Sequence, residues 1–306
     1  MLSLVRYVWD RPVWLLALPP LIWSTNIVLG RALAEIWPPW TLTFLRWVIA
    51  FAVLLPFVRP AAARQLPLLR RHWALLLLSG ATGMVGYSGL AYLALHTTQA
   101  ANVAFINSML PLMVPLVTLV LAREPMRPRT LAGIALSFAG VVWILARGDV
   151  ANLATLSFTA GDLVTVVAVA CYALYSVLIR RKPPGLDIFV FLLGAIAAGT
   201  VVALPFAAFE LMAGAPVPTD PLAWAAVVYI GLVISLLAYL LWNRCIEVLG
   251  ATVTGVSYHL LSVYTPLLAF AVLGETLAGF HFAGIALILA GVALAATAQE
   301  PRRAVS

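Results

Sequence analysis

The chain carries one pattern twice. The pattern starts at Trp73 and again at Trp224, and it runs without a gap for over 70 residues. An offset of 151 takes Gly80 to Gly231, Pro115 to Pro266, Glu124 to Glu275 and Gly140 to Gly291. It also takes Ala132-Gly133-Ile134-Ala135-Leu136 to Ala283-Gly284-Ile285-Ala286-Leu287. Upstream, an offset of 149 takes Leu55-Pro56-Phe57 to Leu204-Pro205-Phe206. Nearly every residue in both copies is membrane-like. A duplicated membrane unit of this kind usually places a transport site between its halves.

With 64% hydrophobic and 9% charged residues, the chain lies far from a soluble domain, which carries about a quarter charged residues. The net charge of +7 resides in short loops between apolar spans, so its partners are anionic membrane lipids and not nucleic acid. Cys171 and Cys245 lie inside apolar segments without metal-ligand neighbours and read as small buried hydrophobes. No metal and no cofactor is expected. The first apolar span begins near Val13, is too long for a signal-peptide core and is followed by no small-residue cleavage site. It reads as a retained first helix.

A span needs roughly 20 apolar residues. Ten are expected, at about 13–33, 38–58, 73–95, 100–122, 130–147, 160–180, 187–209, 222–243, 252–273 and 280–298. With the N-terminus inside, 15 Lys and Arg fall on the cytoplasmic side, including Arg244 between the eighth and ninth spans. Only Arg31 and Arg147 fall in outer loops. Both termini are then cytoplasmic. Each repeat holds five spans, an odd number, so the second half must sit upside down relative to the first. The loop Arg123–Arg129 is basic and expected inside, whereas its counterpart Gly274–Phe280 has lost every base and is expected outside. The expected fold is an all-α integral membrane protein of two inverted five-helix repeats, residues 1–150 and 151–306.

Trp23-Ser24-Thr25-Asn26 in the first span, Pro39 with Arg46 in the second, and Pro111, Pro115, Glu124, Gly133 and Gly140 in the fourth and fifth form an ordered set. Pro266, Glu275, Gly284 and Gly291 repeat it in the ninth and tenth. The set resembles the EamA family of the drug/metabolite transporter superfamily over nearly the whole chain. The resemblance implies a small-molecule carrier of the bacterial inner membrane, similar to amino-acid exporters of that group. It also places the fifth and tenth spans at the periphery.

Residues kept in both halves most simply serve the shared fold. Glu124 and Glu275 follow the fourth span of each half, where a carboxylate can cap the next helix or act in gating. Pro115 and Pro266 kink their helices, which shapes a cavity or a hinge. The glycine pairs of the fifth and tenth spans permit close helix contact, with each other, with neighbours, or in a homodimer.

Polar residues found in one half only point to asymmetric tasks. Arg46, whose counterpart is Ala195, lies roughly 12 Å into its span at about 1.5 Å per residue. It can snorkel or bond carbonyl ends, neutralise an acid or hold a substrate carboxylate, and no mid-span carboxylate stands ready to pair with it. Tyr258 and His259 align with Asn107 and Ser108, at similar depths from opposite sides. His259 is either a hydrogen-bonded packing residue or a coupling group that titrates near neutral pH. Trp23, Tyr87, Tyr92, Phe105, Tyr172, Tyr175, Tyr239, Trp242 and Tyr264 cluster on the same spans, as core or as cavity lining. Trp14, Trp37, Trp40, Trp73 and Trp224 at span ends read as interfacial anchors. Asn26 and Asn102 need partners inside the membrane. Asp162 is placed to cap the sixth span.

The expected substrate-binding set is therefore Trp23, Asn26, Arg46, Tyr87, Asn102, Asn107, Tyr172, Tyr175, Tyr239, Tyr258 and His259. The expected cargo is a neutral or aromatic amino acid, with other amphipathic metabolites or drugs as the alternative. An enzyme is not expected, since no metal set, Ser–His pair or paired carboxylates stands out. A channel or lipid scramblase fits the sparse polar groups poorly, and no phosphate-binding loop suggests an ATP-driven pump. Proton coupling and facilitated diffusion both remain open.

Overall fold

The computed structural model describes residues 9, 11–34, 36–98, 100–123, 126–155, 159–273 and 276–297. Glu124 and Glu275 lie outside the described residues. Helix α1 is Pro12–Ala34 and α2 is Pro39–Arg64. A short helix, Leu66–Arg71, leads into α3, which begins as Trp73–Ser79, passes through a π-helical segment Gly80–Gly86 and resumes as Tyr87–Leu95. Helix α4 comprises Ala100–Asn107 and Leu110–Ala122, and α5 is Pro128–Leu145. Then follow α6 (Ala160–Leu178) and α7 (Ile188–Met212). Helix α8 runs Pro221–Tyr229, a π segment Ile230–Leu237, and Ala238–Leu249. Helix α9 runs Ala251–Ser257, a 3₁₀ turn Tyr258–Leu260, and Leu261–Leu273, and α10 is Gly279–Ala296. Among the described residues there is no strand.

Among the described residues, eight helices are long and apolar enough to cross a bilayer: α2, α3, α4 from Asn102 to Leu121, α5, α6 extended to Arg181, α7, α8 and α10. Helices α1 and α9 occupy the first and ninth expected positions. Two helices outrun their apolar windows. Helix α2 continues to Arg64 and α8 to Leu249, because a charged stretch ends an apolar run without ending a helix. Arg244, expected in a loop, is thus corrected to the last turns of α8, where it pairs with Glu247 at 3.5 Å and lies 5.5 Å from the Trp9 ring. Gly250, at φ +82°, terminates this helix, where an L side chain would be strained.

The irregularities recur at the repeat offset. The π segments begin at Gly80 and Ile230, one residue out of strict correspondence. Helix α4 breaks at Ser108-Met109 and α9 tightens at Tyr258-His259-Leu260, which correspond under the offset of 151.

The main core joins α2, α3, α6, α7 and α8 around Trp47, Met84, Tyr172, Phe191, Tyr239 and Trp242. A satellite core joins α5, α9 and α10. Helices α5 and α10 meet through the repeated glycines. A Cβ at Gly133 would lie 2.6 Å from the Gly291 carbonyl oxygen, and one at Gly140 would lie 2.7 Å from that of Gly284. Residue numbers rise along one helix as they fall along the other, so the two are antiparallel. Large apolar residues such as Phe57 (81% exposed) and Phe209 (74%) point away from the protein, as a lipid-facing surface requires.

Two ends are fastened in ways the sequence hid. Glu210 of α7 accepts from the backbone N–H groups of Trp40 and Thr41 at 3.1 and 2.7 Å, and so caps the start of α2. Trp37 and Trp40, expected as membrane anchors, pack on Trp224 (5.0 Å) and Phe206 (4.7 Å). The Trp37 ring is buried there with its Nε1 unpartnered, while Trp40 stays partly exposed.

Candidate functional site

The two π segments form the scaffold of the site. A π turn bonds i to i+5, which shifts the backbone ladder and leaves carbonyls to side chains. Three aromatic residues use these carbonyls. Trp47 Nε1 donates to Met84 O at 3.0 Å, and Tyr239 OH donates to Gly83 O at 2.7 Å. Trp23 Nε1 donates to Ile234 O at 3.2 Å. Trp23 belongs to the first repeat and Ile234 to the second, whereas Tyr239 belongs to the second and Gly83 to the first. Each π segment is therefore held by a ring from the other half. Gly83 has a further reason to lack a side chain, because a Cβ there would lie 2.4 Å from the Tyr175 ring.

These bonds aim the rings at one another. The Trp23 ring lies 5.8 Å from Tyr172, 6.0 Å from Tyr239, 5.1 Å from Trp242 and 5.9 Å from Tyr258. Tyr172 lies 4.7 Å from Tyr87 and 5.7 Å from Tyr175. The offset of 149 that relates the early helices takes Trp23 to Tyr172, so two equivalent positions meet face to edge. Such offset and edge-on contacts contribute about 0.5–1.5 kcal/mol each beyond burial.

A polar seam runs along one side. Tyr87 OH and Tyr258 OH are 2.9 Å apart, and Tyr87 OH donates to Asn107 Oδ1 at 3.4 Å. On another side Tyr175 OH donates to Asn243 Oδ1 at 2.8 Å. Asn26, one helical turn beyond Trp23, keeps its Oδ1 buried without a partner.

Arg46 borders the cluster. It is 4% exposed, and its Nε donates to Ser235 Oγ at 2.6 Å while Nη1 donates to Tyr92 OH at 3.1 Å. Ser235 Oγ in turn donates to Ile230 O at 2.9 Å, inside the π segment of α8. The partners that Arg46 has here are hydroxyls, not the carbonyl ends expected of it. Among the described residues no carboxylate lies within ion-pair distance of it.

Two expected residues serve elsewhere. Asn102 Nδ2 donates to Asp162 Oδ2 at 3.0 Å, and Thr98 also bonds that carboxylate. Asp162 closes a capping box with Thr159 at the start of α6. Asn102 thus braces a helix cap. His259 is 1% exposed, with Nε2 at 2.9 Å from Ser108 O and Nδ1 at 2.7 Å from Ser137 Oγ. A carbonyl only accepts, so Nε2 carries the hydrogen and Nδ1 accepts from Ser137. His259 joins the break in α4 to α5. The backbone N–H groups of Leu112 and Met113 both bond Met109 O, which leaves Ser108 O for the imidazole. Pro115 and Pro266 sit inside the second parts of α4 and α9.

The sequence reading passed over Trp47, Ser235, Asn243 and Glu210. Ser235 and Asn243 carry a signal that was available: their counterparts are Met84 and Tyr92, so each is polar in an asymmetric way. Among the described residues no group of three or more His, Cys, Asp or Glu is placed to hold a metal ion.

What the arrangement offers is a desolvated aromatic cluster with a few directed polar groups and, among the described residues, no formal charge beyond Arg46. The family model described as "EamA-like transporter family" matches residues 11–146 and again 159–297. An "Uncharacterized transporter" of Archaeoglobus fulgidus is 30% identical over 293 residues, covering 94% of this chain and 97% of its own. A "Probable terminal-alkyne amino-acid exporter" of Streptantibioticus cattleyicolor is 28% identical over 290 residues, covering 93% of each chain. The "Uncharacterized transporter YyaM" of Bacillus subtilis is 28% identical over 255 residues, covering 81% of each. A solved crystal structure superposes with a TM-score of 0.73 at 24% identity, covering 93% of this chain and 96% of that one, and supports the fold alone. The chain is a multi-pass membrane protein that belongs to the EamA-like transporter family.

Proposed function

We propose that the protein is a carrier of the bacterial plasma membrane that exports neutral or aromatic amino acids by alternating access. Its ten helices form two inverted five-helix halves, divided near residue 150, with both termini cytoplasmic. The observation that carries this reading is the meeting of Trp23, Tyr87, Tyr172, Tyr239 and Tyr258, drawn from both halves, around shared π-segment carbonyls. The antiparallel glycine contact of α5 and α10 supports inversion, because parallel repeats would carry these equivalent helices in parallel. The lopsided placement of Lys and Arg supports the orientation. The printed description of the Streptantibioticus relative supports the amino-acid class.

A carrier must loosen one side of its site at a time. Here the site is walled by contacts between the halves, Trp23 to Ile234 and Tyr239 to Gly83, so rocking the halves opens it. Aromatic walls suit an apolar side chain, while the few polar groups fix the head. The test is uptake of a panel of neutral amino acids into proteoliposomes, with and without an imposed pH gradient. Saturable uptake of an aromatic or branched subgroup is expected. Absence of uptake for the whole panel, from folded monodisperse protein, would remove the amino-acid class.

A further inference from the structure

Most polar groups around the aromatic cluster have partners. Trp23, Trp47, Tyr239, Tyr175, Tyr87 and Tyr258 all use their N–H or O–H. Trp242 Nε1 donates to Ser176 Oγ at 3.3 Å. Besides Asn26 Oδ1 and Ser88 Oγ, two groups here lack a partner. The Tyr172 hydroxyl and the Asn243 Nδ2 amide are buried without a hydrogen-bond partner. Both residues are 0% exposed. They share neighbours: Tyr175 bonds Asn243 at 2.8 Å and its ring lies 5.7 Å from Tyr172, while Trp242, next to Asn243 in the chain, lies 5.6 Å from Tyr172.

Leaving buried donors unpaired disfavours the fold, and native proteins leave few of them. Tyr172 offers one O–H. Asn243 offers two N–H bonds, because its Oδ1 already accepts from Tyr175. The complement of such a set is an acceptor with several lone pairs. Among the described residues no Asp or Glu belongs to the cluster. Arg46, buried without a carboxylate at ion-pair distance among the described residues, borders it through Trp47, whose ring lies 4.9 Å from Tyr239. The local field therefore favours an anion.

We infer that Tyr172 and Asn243 are the specificity-determining residues that receive the carboxylate of the transported solute, with its apolar body among the surrounding rings. This rests on the carrier reading above and adds the chemical group that the site selects. The site discriminates an aromatic carboxylate from the matching amine, which lacks the acceptor.

The experiment measures phenylalanine uptake into proteoliposomes by the wild type, Tyr172→Phe and Asn243→Asp. Phenethylamine and 3-phenylpropionate serve as competitors, and thermal unfolding is recorded for each protein. For the wild type, 3-phenylpropionate competes and phenethylamine competes poorly. Tyr172→Phe removes one donor to a charged acceptor, so KM rises by about tenfold or more. Its Tm stays equal or rises, because the lost hydroxyl bonded nothing in the fold. A purely structural hydroxyl would instead lower the Tm and leave KM near the wild-type value. Asn243→Asp keeps the acceptor for Tyr175 and replaces both donors with an oxygen, so phenylalanine uptake collapses. If that variant fails to fold, Tyr172→Phe alone decides. A Tyr172→Phe KM within about twofold of wild type, a lowered Tm, or equal competition by phenethylamine overturns the inference. Absence of phenylalanine uptake by the folded wild type would instead remove the aromatic amino-acid reading on which the inference rests.

Discussion

His259 offers a choice between two roles that one substitution separates. In the structure the imidazole is a strut. It ties the Ser108 carbonyl, at 2.9 Å, to Ser137 of α5, at 2.7 Å. His259→Ala leaves Ser108 O buried without a donor, which costs about 1–3 kcal/mol. The missing ring leaves a cavity worth about 2 kcal/mol or more. Ser137 loses little, since its hydroxyl has the Gly133 carbonyl at 2.9 Å as an alternative. The sum is about 3–5 kcal/mol. At about 2–4 °C per kcal/mol for a mid-sized domain, Tm falls on the order of 10 °C. His259→Gln places an amide nitrogen near the former Nε2, keeps the bond to Ser108, and recovers about 1–3 kcal/mol. Thermal unfolding of purified protein in detergent measures both shifts. Uptake by the glutamine variant between about pH 5.5 and 8 then asks whether the ring carries protons. The strut account expects a large loss in Ala, partial rescue in Gln, and an unchanged pH profile. An alanine variant with wild-type Tm, or a glutamine variant stripped of its pH response, would refute it.

Three further outcomes follow from the packing. Glu210→Ala removes the cap on α2 and should cost about 1–2 kcal/mol of stability, read as a lowered Tm, with Glu210→Gln intermediate. Gly140→Leu drives a side chain into the Gly284 carbonyl, 2.7 Å from the added Cβ, and should unfold or strongly destabilise the α5–α10 pair; normal thermal behaviour would show the helices are not in contact there. Trp23→Phe keeps most of the ring contacts but loses the bond to Ile234 O, so initial uptake rates should fall while folded yield persists, and unchanged uptake would show that this bond between the halves is idle in transport.

The repeat and eight of the ten expected spans were legible because apolar length is a strong, local signal. The six aromatic residues singled out for the site do meet, since rings at matching depths in facing helices have nowhere else to pack. The π segments were not legible. They arise where Gly80 comes within 2.4 Å of the Ala195 carbonyl as a notional Cβ, and where Gly231 presses on Ile49, so neighbours and not propensity set the backbone. Partner choice was hidden for the same reason. Arg46 bonds Ser235 across 189 positions and Glu210 caps α2 across 170, distances no local pattern spans. Asn102 looked like a binding residue because an amide in a membrane needs partners, and depth alone could not say that Asp162 supplies one.

The central claim is that two halves alternate access to one enclosed aromatic site. Counterflow tests it most directly. Proteoliposomes are loaded with unlabelled phenylalanine and diluted into a trace of labelled phenylalanine, and internal label is followed over time. The account predicts a transient accumulation above equilibrium that unlabelled external substrate suppresses. Label that enters linearly with concentration, without overshoot, would mark an open pathway and contradict the account.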